Sequence, residues 1–302
     1  MWFKNLQVYR CPMPFNISAS ALEEQLGRHP FRSTAGYETQ TQGWASPRED
    51  GGLVHSNNGQ MLISLCTEKK LLPASVIKEV IKTRAVEAEQ HQGYKPGKKQ
   101  LRDIKEQVTD ELLPRAFAVR RRTGIWIDPA NGWLVMDVGS PGKADEVITL
   151  LSKSIDDFVI ERLKTAIAPG TAMTAWLAND DIPHGFSVDQ ETELQSPVEE
   201  KATVRFVRHA LEPKEVQRHI AAGKQCTRLA LTWANRVSFM LTDTMVLKRV
   251  LPVDVIREGE AAPSQNDDER FDADFTLMTG ELHHLMTDLV EALGGFLEAG
   301  QK

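Results

Sequence analysis

The stretch from Ala116 to Val138 leaves the chain little choice but an antiparallel hairpin. AFAVRRRTGIWID, from Ala116 to Asp128, alternates with the period-2 spacing of a strand. That spacing puts Arg120 and Arg122 on one face and Arg121 on the other. Asp128-Pro129-Ala130-Asn131-Gly132 has the composition of a tight turn, and Trp133 to Val138 reads as the returning strand. Further short strands fit Trp2–Arg10, Gln60–Thr67, Thr203–His209, Cys226–Trp233, Arg236–Thr242 and Met245–Val250. Ser33 to Gly59 is polar and Gly-rich and reads as loop and turn.

Helices separate these strands. Ser20 to Glu23 fits a capping box, with Gly27 as the stop. Pro73 opens a helix to about Gln92 with an apolar stripe of Val76, Ile77, Val80, Ile81, Ala85 and Ala88. After a break at Gly93–Gly97, a second helix over about Lys98–Leu113 sorts its charges by face. Lys98, Arg102 and Lys105 fall on one stripe, and Asp103, Glu106 and Asp110 on the far side. Ser140-Pro141 starts a helix to about Ile155, Thr171–Ala178 is a short helix at best, and Pro213–Ala222 is another. Asp272–Phe296 is a long helix after the polar stretch Glu258–Glu269, which reads as a loop. Its stripe of Phe275, Met278, Leu282, Leu285 and Leu289 suits either a core or a subunit contact.

The expected fold class is therefore α+β: antiparallel sheets with packed helices, a protruding helical hairpin and a long C-terminal helix. At roughly 150 residues per domain, 302 residues suggest about two units. The expected division is 1–72 together with 114–168 as a central α+β domain, 73–113 as the hairpin, and 169–302 as a second region ending in the long helix. No apolar run reaches the ~18 residues of a membrane span, so no membrane association is expected. Three widely spaced cysteines do not make a disulfide framework, which points to the cytoplasm.

The net charge of −6 conceals a segregation of signs. Lys69–Arg122 holds 14 basic and 7 acidic residues, whereas Asn179–Glu200 holds 7 acids and no Lys or Arg. Lys201–Arg257 is again basic, and Glu258–Lys302 strongly acidic. A polyanion partner is compatible with such a chain only if its cations are gathered in one place, such as a groove or channel.

Catalytic chemistry finds no foothold in the sequence. Gly139-Ser140-Pro141-Gly142-Lys143 resembles a phosphate loop, but Asp137 and Ala144 stand where the motif needs Gly and Ser or Thr. His283 and His284 are adjacent and point to different helix faces; His209 and His219 have no carboxylate at ligand spacing. No enzyme activity, metal or cofactor is expected. The remaining feature is Arg115, Phe117, Arg120, Arg121, Arg122 and Trp126 together. It fits either solvated arginines beside a core tryptophan or contacts to a phosphate backbone, which carry no sequence information.

WFKNLQVYR from Trp2, NGQMLIS from Asn58, LLPASVIK from Leu71, LLPRAF from Leu112, WIDPANG from Trp126, AGKQCTRLALTW from Ala222 and RFDADFTLMTGEL from Arg270, in that order, resemble the RdgC family of bacterial recombination-associated proteins. The resemblance implies a cytoplasmic, nucleoid-associated, non-catalytic protein. It implies a ring-shaped homodimer that encircles duplex DNA in a positively charged hole, binds double- and single-stranded DNA without sequence preference, and limits RecA-promoted strand exchange. By position, Phe117, Arg208 and His209 fall at the family's dimer gate, and Arg115 and Lys224 at basic positions facing the hole. The full set expected to bind DNA is Arg115, Arg120, Arg121, Arg122, Lys98, Arg102, Lys105, Arg208 and Lys224, with Phe275, Leu282, Leu285 and Leu289 expected on a dimer helix. The competing expectation is a regulator that binds the recombinase directly and touches DNA only incidentally.

Overall fold

The computed structural model describes residues 2–11, 17–198, 202–208, 212–253 and 266–297. Its strands are β1 (Asn5–Arg10), β2 (Gln40–Ala45), β3 (Val54–Asn57), β4 (Gln60–Lys70), β5 (Ala118–Asp128), β6 (Trp133–Asp137), β7 (Glu161–Arg162), β8 (Phe186–Gln195), β9 (Thr203–Val207), β10 (Gln225–Trp233), β11 (Val237–Thr242) and β12 (Val246–Pro252). Its helices are α1 (Ala19–Leu26), α2 (Ala74–Gln92), α3 (Lys98–Leu112), α4 (Pro141–Ser154), α5 (Pro169–Asn179), α6 (Pro213–Ala221) and α7 (Asp267–Ala292).

All twelve strands join one antiparallel sheet in the order β2-β4-β5-β6-β1-β12-β11-β10-β8-β9, with β3 on β4 and β7 on β1. The first strand is the seam. β1 pairs with β6 through Leu6↔Asp137 to Arg10↔Trp133, and with β12 through Asn5↔Lys248 to Gln7↔Val246. The sheet thus runs unbroken through both expected regions.

Strand alternation divides the interior in two. On one face Leu6, Leu62, Trp126 and Val135 join Leu229, Leu231, Phe239 and Leu241 of the second half under α7. On the other, Ile63, Ile125, Ile127, Leu134 and Met136 pack beneath α1 and α4 through Leu22, Leu26, Val147 and Leu151. Consecutive residues Ile125, Trp126 and Ile127 serve different cores, as a period of two requires. Gly124 allows the Phe3 ring close to β5; a Cβ there would sit 2.7 Å from Phe3 Cε1.

Three local expectations change. The cap of α1 is Ser18, whose hydroxyl accepts from the Ala21 N–H at 3.2 Å, rather than Ser20. The polar 33–59 region contains β2 and β3. Helix α7 starts at Asp267, capped by Asn266, rather than at Asp272. Most of the expected loop 258–269 lies outside the described residues.

The hairpin protrudes as its sequence predicts. No residue of α2 is buried, and in α3 only Val108 is. Gly93 closes α2 in the left-handed region, φ 81°, with its N–H on Glu89 O. Arg84 to Glu111, at 3.0 Å, and paired amides of Gln92 and Gln100 tie the two helices together.

Candidate nucleic-acid interface

The short 3-10 turn Leu113–Arg115 hands the chain from α3 to β5 and exposes the basic segment. Across the ladder, Arg120 faces Glu68, Arg121 faces Thr67 and Arg122 faces Cys66. All three arginines are exposed, yet their circumstances differ. Arg120 Nε donates to Glu68 Oε2, its Nη2 donates to Ser33 Oγ at 2.7 Å, and its guanidinium lies 5.4 Å from the centre of the Phe31 ring. Glu68 also accepts from the Thr34 N–H and hydroxyl at 2.7 and 2.9 Å. The Arg120 hydrogen bond, with those from Thr34, holds the Glu68 carboxyl down at about 2. Arg120 therefore neutralises a buried carboxylate of its own chain and is not a free phosphate ligand.

Arg115, Arg121 and Arg122 have no carboxylate within ion-pair distance among the described residues. Arg122 lies on the same face as Arg120. Arg121 lies on the opposite face, in a cleft with Lys69 and Lys143. Lys98, Arg102 and Lys105 form an exposed stripe along α3, also without acidic partners among the described residues.

Phe117, just ahead of β5, is 86% exposed, the extreme case among the large apolar side chains of this region. Arg208 follows β9 and is exposed, with a left-handed backbone, φ 53°. The antiparallel registers from β5 through to β9 direct the Phe117 and Arg208 ends toward the same end of the strands. They sit on strands seven steps apart in the sheet order, and Lys224 enters β10 at the other end and is half-buried. His209 lies outside the described residues.

Phe275, Leu282, Leu285 and Leu289 are each 0% exposed and fill the core of their own chain. They leave no side-chain surface for a second subunit, and the stripe's intramolecular role is its role in this fold.

Sequence reasoning missed a row of charges on the uncovered face of the second half. Arg228, Glu193 and Arg205 are cross-strand neighbours on β10, β8 and β9. Both arginines pair with Glu193, Arg228 at 3.7 Å. Burial alone would push the Glu193 carboxyl up, but the Thr227 hydroxyl and Arg205 hold it below the ordinary range. Arg249 pairs with Glu191 at 2.9 Å. The signal is the alternation of Asp189, Glu191 and Glu193 within FSVDQETELQ.

Among the described residues, no group of three His, Cys, Asp or Glu side chains is placed to hold a metal ion. No helix among them is long and apolar enough to cross a membrane.

Comparison with known proteins extends over essentially this whole arrangement. The family model described as "Putative exonuclease, RdgC" matches residues 1–296. "Recombination-associated protein RdgC" of Janthinobacterium sp. (strain Marseille) is 59% identical over 298 residues, 99% of each chain. The protein of the same name from Herminiimonas arsenicoxydans is 58% identical over 295 residues, 98% of each chain. That of Cupriavidus necator is 57% identical over 295 residues, 98% of this chain and 99% of its own. With the match running from the seam strand β1 to the end of the covering helix α7, the chain belongs to the RdgC family of recombination-associated proteins.

Proposed function

We propose that this chain is a non-catalytic DNA-binding protein. Two copies close a ring around duplex DNA, hold it without sequence preference, also bind single strands, and limit RecA-promoted strand exchange in the nucleoid. One observation carries the reading. In a chain of net charge −6, one segment holds Arg115 and Arg122, whose guanidinium groups have no carboxylate partner among the described residues, and between them in the sequence Phe117, an apolar ring that is 86% exposed. Cations without carboxylate partners are available to displace counterions from phosphates. An exposed aromatic in the same segment suits a small contact between copies that can open and reclose. Arg208 and the α3 stripe of Lys98, Arg102 and Lys105 extend the basic surface, while Arg120 serves Glu68. The four core leucine and phenylalanine side chains of α7 play no part in the contact.

Encirclement makes a topological prediction. Protein loaded on closed circular duplex resists a high-salt wash and is released when the circle is cut once. Equal release from circular and linear DNA would refute the ring while leaving open-surface binding intact. A dimer mass by light scattering is expected alongside. Release of nucleotides from duplex ends in the presence of Mg²⁺ would overturn the non-catalytic part. Undiminished inhibition of strand exchange with excess competitor DNA would favour direct binding to the recombinase.

A further inference from the structure

The face of the sheet opposite Arg122 carries a second basic feature of different character. Beyond the first turn of α4, the β4–β5 surface is left uncovered and forms a cleft of about 490 Å³. Leu65, Val119 and Val147 form its floor, and Lys69, Arg121 and Lys143 its rim. None of these three cations has an ion-pair partner among the described residues. One carboxylate, Glu146, also lines it.

We propose that this cleft binds a short, extended acidic peptide carrying large apolar side chains, presented by a partner protein. Charge and surface together select this occupant. Three unpaired cations against one acid favour an anionic ligand, and a guanidinium grips a carboxylate through two parallel hydrogen bonds. The floor calls for apolar side chains, because Val119 is 37% exposed beside the almost fully buried Leu65 and Val147. A sugar–phosphate backbone has nothing to place there. Nor does any aromatic residue line the cleft, so bases of a single strand would have no stacking platform. The positive end of the α4 dipole, with no acid in its first turn, reinforces the preference for carboxylate.

The test uses the full chain and the fluorescein-labelled peptide Asp-Asp-Leu-Asp-Phe-Leu, read by fluorescence anisotropy. Saturable binding is expected, and a Lys-Lys-Leu-Lys-Phe-Leu peptide should not bind. Arg121→Gln combined with Lys143→Gln should weaken the acidic peptide at least about tenfold, equivalent to about 1.4 kcal/mol. Val119→Asp should do the same from the floor. Circular dichroism melting checks that the variants fold, and Lys69→Gln replaces any that does not. Failure of the peptide to bind at millimolar concentration overturns the proposal, as does binding indifferent to all these substitutions. If the double variant loses as much affinity for a duplex oligonucleotide as for the peptide, the cleft belongs to a DNA path and the proposal falls. The reading of the chain as a DNA ring is unaffected by any of these results.

Discussion

The main-chain N–H of Leu71 donates to the carbonyl oxygen of Phe117 at 2.7 Å, while the Phe117 ring beyond it stands almost wholly in solvent. The backbone is fixed and the side chain projects. Phe117→Ala therefore removes apolar surface without breaking a packed contact of its own protomer. The melting temperature should move by no more than about 2 °C, as for surface substitutions generally. Retention on circular duplex after a salt wash should fall markedly. A large drop in melting temperature would show that the ring packs within its own chain.

Neighbouring arginines should behave as opposites. Arg120→Ala strips Glu68 of its main partner and strands a buried carboxylate, so thermal stability should fall. Arg122→Ala removes an unpaired cation. It should leave melting unchanged, weaken DNA binding across all sequences, and lower the slope of log affinity against log salt by about 1. Matching effects in melting and mobility-shift assays would erase the distinction.

Acid should loosen the same region. The Glu68 carboxyl is held at about 2 in the folded chain against an ordinary 4.5. A depressed carboxyl pKa stabilises the fold above the unfolded value, and that contribution is lost as pH falls from about 4.5 toward about 2. Glu38, bonded to Arg32 and likewise held at about 2, adds to the same window. Glu68→Gln should flatten the pH dependence of unfolding there, as followed by denaturant melts at successive pH values.

Leu285 tests the role assigned to α7. It is fully buried in the core shared with Trp126 and Leu229. Leu285→Ala should cost about 2–5 kcal/mol, with the loss read from chemical denaturation. A dimer contact would instead give a loss that grows with dilution and spares the monomer.

Much of the sheet was legible because its strands carry apolar alternation. β5 and β6 were delimited by the Asp128–Gly132 turn, and α2 and α3 by Pro73, Gly93 and the sorting of charges. β8 escaped because one of its faces carries charged residues in place of apolar ones. FSVDQETELQ places Glu191 and Glu193 on that face, where Arg249, Arg205 and Arg228 meet them across strands. β2 escaped because its polar residues Gln40 and Gln42 alternate with buried Thr41 and Gly43, leaving little apolar signal before Trp44. At the interface, alternation correctly separated Arg121 from Arg120 and Arg122. The Arg120–Glu68 pair joins residues 52 positions apart, a pairing only the sheet register determines. The α7 stripe could be read equally as core or as contact, since both demand the same apolar residues. Only its burial beneath both halves of the sheet decides between them.

Helix α7 follows every strand in the sequence, yet it roofs the face carrying Phe3, Leu62 and Trp126. During synthesis, the amino-terminal half must emerge from the ribosome with one oily side bare until residues as far along as Leu293 are available. A nascent chain cut short before this segment would present that side to the crowded cell interior. Quality control by chaperones or proteolysis should therefore fall most heavily on prematurely terminated products.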